Sequence, residues 1–267
     1  MIVAHGTGFA RAIKTFLLRN WGLILTVVIA EQLIVRVSQY SNVLKTDVFS
    51  ATAVGMFVTV VGIFIVFRFN EAYQRWWEAR ILWGALVNDS RTYAREVLTL
   101  LTPKRAPALE TEEAAYRLHR ELIYRHIAYC NALRLSLRDQ DTWDELAPFL
   151  DPAELEDLEN YANKPTRLNR TQGERAAEVL GTDVAQQVLL TQLDSTLSRL
   201  FDTQGGCERI KRTAFPDEVR FISRAMVWLS AVAIPVAFLS ADSEIRAIEI
   251  VAVIVIALSF MVVEQLG

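Results

Sequence analysis

Residues 48–67, VFSATAVGMFVTVVGIFIVF, are twenty consecutive uncharged residues, and this stretch decides the fold. As an α-helix it is about 30 Å long, which matches the thickness of the hydrocarbon core of a bilayer. A run of this length and apolarity predicts a membrane-spanning helix. Because another apolar block precedes it, we expect it to be the second span of the chain.

Three other apolar blocks predict further spans. The first covers residues 21–37, the third covers 225–241, and the fourth covers 250–263. Glu31 and Arg36 interrupt the first block. An intramembrane charge such as Glu31 has a functional interpretation by default, but neutralisation by Arg36 or by a neighbouring helix explains it equally well.

Basic residues give the expected orientation of the four spans. They cluster before the first span, after the second and before the third, whereas each of the two short connections has one basic residue, Lys45 or Arg246. Cytoplasmic segments carry the excess of Lys and Arg, so both termini are expected in the cytoplasm. Short loops and the lack of a cleavable signal pattern favour a bacterial inner (plasma) membrane or an equivalent organelle membrane.

The composition supports a membrane protein and weakens other classes. The 267 residues are 52% apolar, with a formal net charge of −3 and a mean hydropathy of +0.23. Nucleic-acid binding is set aside because phosphate neutralisation needs a clustered basic surface. The sequence has no P-loop and no dinucleotide, zinc-protease or hydrolase motif, so we expect neither an enzyme nor a bound cofactor or metal.

The polar region between the second and third spans has helical patterns throughout. The expected elements are a helix over 71–101, a helix over 111–138 capped by Thr111, a short helix that starts at Pro152, a loop over 163–173, and a helix over 174–203 closed by Gly205 and Gly206. The sequence therefore predicts an all-α fold, with four transmembrane helices that continue into a cytoplasmic helical bundle. Three domains are expected. Residues 1–67 contain the first two spans, residues 68–224 form the cytoplasmic domain, and residues 225–267 contain the last two spans.

Few residues in the polar region suggest chemistry. His119 and His126 lie seven apart on one helix face and could bind a metal with carboxylates from elsewhere, but two polar residues on an exposed or interface face are favoured. Cys207 could be a reactive thiol, but a small buried residue at a helix end is favoured. Cys130 and Cys207 have no metal-ligand spacing and are expected to be reduced thiols.

The second span carries a broad stripe of hydroxyl, small and apolar residues. Its members at helical spacing are Thr52, Gly55, Thr59, Gly62, Ile63, Val66 and Phe67. Such a stripe could line a pore, with Ile63 and Phe67 as a constriction that closes by dewetting. Small residues at ordinary helix contacts explain the same pattern. The residues alone leave both interpretations open.

The segment that follows this span resembles the signature of the bestrophin family. Residues 67–80 read FRFNEAYQRWWEAR and are followed by ILWG, which includes the Arg-Trp-Trp element of that family. Later features agree with the resemblance in order and spacing: Leu193-Asp194 leading into Gly205-Gly206-Cys207-Glu208-Arg209, Phe215-Pro216, and Val263-Glu264-Gln265-Leu266. The resemblance covers nearly the whole chain.

The resemblance implies a homopentameric ion channel around an axial pore, lined in the membrane by the second span. It places a hydrophobic neck at Thr59, Ile63 and Phe67 and the narrow cytoplasmic aperture near Val188. The family signature falls on Arg68, Asn70, Arg75, Trp76, Trp77 and Glu78, for which we expect a structural role.

Two features of this signature lead to expectations about assembly. Arg75 and Glu78 are an i,i+3 pair that is expected to lock the cytoplasmic extension to neighbouring helices, and the tryptophans suit a membrane interface. Trp76→Ala or Trp77→Ala is therefore expected to impair assembly more than ion selectivity.

The sequence departs from the family at two points. Thr59 stands where relatives usually have a bulky apolar or aromatic residue, which predicts a wetter outer ring of the neck. Animal members carry an acidic calcium clasp shortly after the Glu-Gln-Leu of the last span, and this sequence ends at Gly267 before that point, so no calcium site is assigned.

Anion (chloride) conduction is favoured over cation conduction. Characterised animal members conduct anions, and no ring of Asp or Glu lies on the stripe. A cation (sodium/potassium) permeable channel of the same family is the first alternative, and a membrane-anchored helical scaffold is the second. The expected partners are permeant ions, the lipid bilayer and further copies of the chain.

Overall fold

The computed structural model of the chain describes residues 51–106 and 108–213, together with single positions within 18–36 and 218–230. These residues form helices, turns and loops, and no strand is found among them. The prediction of an all-α fold is therefore confirmed. Glu31, Phe215-Pro216, the fourth span and Val263 to Leu266 lie outside the described residues, as do most positions of the first and third spans.

Five α-helices and one short 3₁₀ helix make up the continuous part of the structure. They are α1 (Ala51–Leu100), α2 (Glu112–Leu137), the 3₁₀ helix (Trp143–Leu146), α3 (Pro152–Glu159), α4 (Lys164–Val179) and α5 (Val184–Arg212). The chain divides into two compact units, residues 1–74 with 215–267 and residues 75–214.

Helix α1 joins the predicted second span and the predicted helix over 71–101 without a break. Its 50 residues correspond to a length of about 75 Å. It ends at Leu100, just before Thr102 and Pro103, where proline prevents further helix. By length and composition it is the one helix among the described residues that could cross a membrane.

The core of the second unit lies where α1, α2, α4 and α5 pack together. All four helices contribute to its largest fully buried apolar side chains, among them Tyr93, Leu122, Tyr129, Leu133, Leu168, Leu193 and Leu200. Burying a side chain of this size contributes about 1.5–3 kcal/mol, so this cluster holds the bundle together.

Local signals placed two helix starts correctly. Thr111 caps α2 by accepting a hydrogen bond from the Ala114 amide, with Glu112 and Glu113 in the first turn. Pro152 is in the first turn of α3, as predicted.

The predicted loop over 163–173 is wrong, because this segment is the start of α4. The Asn163 side chain caps α4 by accepting from the Thr166 amide, and Pro165 stands in its first turn. The polar residues Asn169 and Gln172 of this segment are buried. The Asn169 amide donates to the Leu197 carbonyl at 3.1 Å. Burial of bonded polar side chains concealed the helical pattern.

The predicted helix over 174–203 is also wrong at both ends. Helix α4 stops at Val179, and α5 begins at Val184 and continues through Gly205 and Gly206 to Arg212. A Cβ atom on Gly206 would lie 2.8 Å from Cδ2 of Leu82. Gly206 therefore allows α5 to approach α1 closely and does not end the helix.

A group of ion pairs joins α2 to α3 and α4. Arg125 in α2 bonds both oxygens of Glu154, at 2.6 and 2.8 Å, and Oε1 of Glu121 at 3.0 Å. Glu121 also accepts from Arg175 of α4 at 3.1 Å. The Arg125 side chain is only 8% exposed, whereas those of Glu154 and Glu121 are 19% and 31% exposed, so the guanidinium is the buried member of this group.

Candidate functional site

The predicted neck residues lie on one exposed face of α1. Thr59, Ile63 and Phe67 follow an i, i+4, i+8 row, and Ile63 and Phe67 are 53% and 65% exposed. The buried residues of this part of α1 are Val61, Ile65 and Arg68, about 170° away around the helix at 100° per residue. The structure therefore keeps the neck row out of the core of the chain.

The hydroxyl of Thr59 bonds within the helix. Its Oγ1 donates to the Gly55 carbonyl at 2.8 Å. A threonine hydroxyl has one donor hydrogen, so what remains for other partners is the acceptor capacity of the oxygen. The side chain thus offers a methyl group and oxygen lone pairs to its surroundings.

The polar residues of the family signature connect α1 to the end of α5. Nη2 of Arg75 donates to the Ile210 carbonyl at 3.1 Å, and Glu78 forms an ion pair with Arg209. Arg75 and Glu78 bond to α5 and not to each other, so the predicted pair is not found, whereas the predicted link of this segment to a neighbouring helix is. The Ile210 carbonyl belongs to the last turn of α5, so Arg75 satisfies an acceptor that the helix leaves unpaired.

The aromatic residues of the signature lie on the surface of the single chain. Trp76 and Trp77 are each about half exposed, and their ring centroids are 6.2 Å apart. The Arg80 guanidinium lies 5.7 Å from the Trp76 ring centroid, which is within the range of a cation–π contact. Asn70 is also exposed.

Val188 lies near the start of α5 and is 62% exposed. It lines an open groove of about 630 Å³, and the other side chains that line this groove are Glu96, Val184, Gln187, Thr191, Gln192, Ser195, Thr196 and Arg199. The predicted aperture residue is therefore part of a surface where α1 meets α5.

Glu96 is the acidic residue of this groove, and it is not among the site residues predicted from the sequence. It is 2% exposed and is held by side chains of α5. Its position was visible in the sequence, because Tyr93, Val97 and Leu100 repeat at helical spacing and place Glu96 on the same apolar face.

The two histidines of α2 have different hydrogen-bond partners. His119 Nε2 lies 2.7 Å from the Leu101 carbonyl, and His126 Nδ1 lies 3.2 Å from Oε1 of Gln172. Of the favoured prediction of an exposed or interface face, the interface holds for His126, which is buried against the ring of Tyr93 in α1 and bonded to Gln172 in α4. Within the described residues, no three His, Cys, Asp or Glu side chains are grouped to hold a metal ion.

Both cysteines carry free thiols in the second unit. Cys207 is buried beside Gly206, in the interior of α5, and Cys130 is partly buried near His126 and Ser90. Burial raises the pKa of both thiols, which keeps them protonated at neutral pH. This environment agrees with Cys207 as a small buried residue.

Burial makes His126 a source of acid sensitivity. Loss of solvation lowers its pKa from 6.5 to about 4, and the bond to Gln172 opposes this only in part. Below pH 6.5 His126 binds a proton in the unfolded chain but stays neutral in the folded core. The free energy of unfolding therefore decreases as the pH falls from 6.5 towards 4. Between pH 7 and 5 we expect a loss of about 2 kcal/mol from this residue.

Melting of the wild type and of His126→Gln at pH 7 and pH 5 measures this effect. The variant should lose less stability on acidification than the wild type. Equal losses in the wild type and in His126→Gln would contradict the assignment.

Comparisons with known proteins agree on one family. A family model described as bacterial/fungal bestrophin protein matches residues 12–267. A voltage-dependent anion channel-forming protein of Mesorhizobium japonicum is 30% identical over 197 residues, covering 74% of this chain and 60% of that protein. A protein of the same description from Ralstonia nicotianae is 32% identical over 186 residues, covering 70% of this chain and 58% of that protein.

A solved structure shows the same fold. The crystal structure of a bacterial bestrophin homologue from Klebsiella pneumoniae matches with a TM-score of 0.75 at 21% identity, covering 91% of this chain and 85% of that chain. The chain spans 60% or less of the length of the Mesorhizobium and Ralstonia relatives.

Proposed function

Because the chain belongs to the bacterial and fungal bestrophin family, we propose that it is an anion channel, chloride being its permeant ion. The observation that carries the proposal is the exposed row of Thr59, Ile63 and Phe67 on a helix that is apolar enough to cross a membrane. Large apolar side chains that are exposed at regular helical spacing indicate an interaction surface or a functional surface, and the lining of a pore is such a surface. The names of the curated relatives, anion channel-forming proteins, support the choice of ion.

The proposed assembly is a homopentamer of about 150 kDa around an axial pore, since one chain has a mass of 30.2 kDa. The row of Thr59, Ile63 and Phe67 on one chain can surround a pore only when further subunits place the same row around a common axis. In this assembly Thr59, Ile63 and Phe67 form successive rings of the neck, and Val188 forms the cytoplasmic aperture. The exposed Trp76 and Trp77 would contact lipid or a neighbouring subunit.

The proposed topology has four transmembrane helices with both termini in the cytoplasm of a bacterial cell. Residues 1–67 and 225–267 supply the spans, and residues 68–224 form the cytoplasmic domain. The bonds of Arg75 and Glu78 to α5 support a structural role for the signature within that domain.

The reversal potential in a planar bilayer under a KCl gradient tests the function. The purified full chain should form pentamers and give currents that reverse near the chloride equilibrium potential. Reversal near the potassium potential would assign the chain to the cation-permeable alternative. Folded monomers without current would favour a membrane-anchored scaffold.

A further inference from the structure

Glu96 is a charged residue on the apolar face of α1. Its side chain is 3% exposed and lies on the side of the helix that carries Tyr93, Val97 and Leu100. A carboxylate in such a place is stable only when its oxygens accept hydrogen bonds.

Two residues of α5 supply these bonds. Thr196 Oγ1 donates to one carboxylate oxygen at 2.7 Å, and Gln192 Nε2 donates to the other at 3.1 Å. Arg95 adds a longer contact of 3.4 Å within α1. Both oxygens of the buried carboxylate are therefore tied to the same helix.

The hydrogen of the Thr196 hydroxyl is directed to Glu96 by its other neighbour. Arg199 Nη2 donates to Thr196 Oγ1 at 2.9 Å, and Arg199 Nε donates to Asp89 at 2.9 Å. Because a guanidinium only donates, the threonine oxygen accepts from Arg199 and gives its own hydrogen to the carboxylate. Such a chain of hydrogen bonds strengthens each of its members.

The other anchors of the start of α5 in the core are the partly buried side chains of Leu189 and Leu190. From Val184 to Gln192 no side chain is fully buried, and Leu193 is the first that is. Gln192 lies one turn after Val188, and both line the same groove as Glu96. The bonds to Glu96 therefore act on the part of α5 that carries Val188.

We propose that Glu96 is a positioning residue for the aperture, and that its bonds to Thr196 and Gln192 fix the place of Val188. The proposal rests on the proposed channel function, in which Val188 narrows the pore. Removal of either donor would free the first turns of α5 and widen the range of positions that Val188 occupies.

Thr196→Val tests the proposal with a nearly isosteric change, and Thr196→Ser is its matched control because it keeps the hydroxyl. Gln192→Met is a second test, and since Gln192 is exposed this variant should fold even if Thr196→Val does not. Hydrogen exchange of residues 184–192 in the purified pentamer is measured together with the permeability ratio of thiocyanate to chloride.

We expect exchange at 184–192 to rise about fivefold in Thr196→Val and in Gln192→Met, which is the effect of one lost hydrogen bond of ordinary strength. The permeability ratio should change in the same two variants, and Thr196→Ser should match the wild type in both measurements. Unchanged exchange, or faster exchange with an unchanged permeability ratio, would overturn the proposal. A wild-type pentamer without current would overturn the proposed function alone, because exchange still shows whether Glu96 holds α5.

Discussion

Replacing Arg125 with alanine is expected to destabilise the protein by about 3–5 kcal/mol, because it removes one partner from a buried ion group. The Glu154 carboxylate, bonded twice to Arg125, would lose the cation that it pairs with, and the Glu121 carboxylate would keep only its bonds to Arg175. Burial by itself lowers the pKa of Arg125, but the bonds and charges of Glu154 and Glu121 reverse this and raise it above its ordinary value. The guanidinium is therefore charged at every pH at which the protein is folded.

Arg117 provides a matched control on the same helix. It pairs with Glu113 four residues earlier, as Arg125 pairs with Glu121, but the two side chains of the control pair are 76% and 67% exposed. An exposed pair of this kind contributes about 0–1 kcal/mol, so Arg117→Ala should change stability little. The melting temperatures of both variants and of the wild type in one detergent give the comparison, and similar shifts for the two alanine variants would refute the importance of burial.

The parts of the fold that the sequence predicted are those determined by local signals. Thr111 with two glutamates after it, and Pro152 after an aspartate, specify helix starts without help from distant residues. The end of α1 before Pro103 is local in the same way.

The parts that were missed depend on residues far apart in the chain. Gly206 stays within a helix because Leu82 of α1 packs against it, and Asn169 is buried because the Leu197 carbonyl accepts its amide. The partners of Arg75 and Glu78 lie more than 130 residues away. No spacing within a single helix reveals such contacts.

The residues of the candidate site also divide into those that local patterns predicted and those that depend on distant partners. Helical periodicity and the resemblance both placed Thr59, Ile63 and Phe67 on one face, and that face is exposed. Helical spacing places Glu96 on the buried face of α1, but the donors to its carboxylate lie in α5, about 100 residues later, where no local pattern reveals them.

Phe67→Ala is expected to raise the basal anion current about tenfold, because a hydrophobic constriction conducts only when it is wet. Phe67 is the largest side chain of the exposed row, and alanine would remove most of the apolar surface that excludes water there. Phe69→Ala is the matched control. It also removes a phenyl ring, but Phe69 lies two residues after Phe67 and about 160° away around the helix. Currents are measured in planar bilayers at equal amounts of pentamer.

The three neck positions should differ in a definite order, with Phe67→Ala above Ile63→Ala and Thr59→Ala least. The phenyl ring excludes more water than the isoleucine side chain, and Thr59 contributes only a small side chain whose hydroxyl hydrogen is already bonded to Gly55. A conducting pentamer in which Phe67→Ala and Phe69→Ala have equal currents would show that the row is a packing face. The largest effect at Thr59 would instead mean that the outer ring, through its oxygen, controls passage.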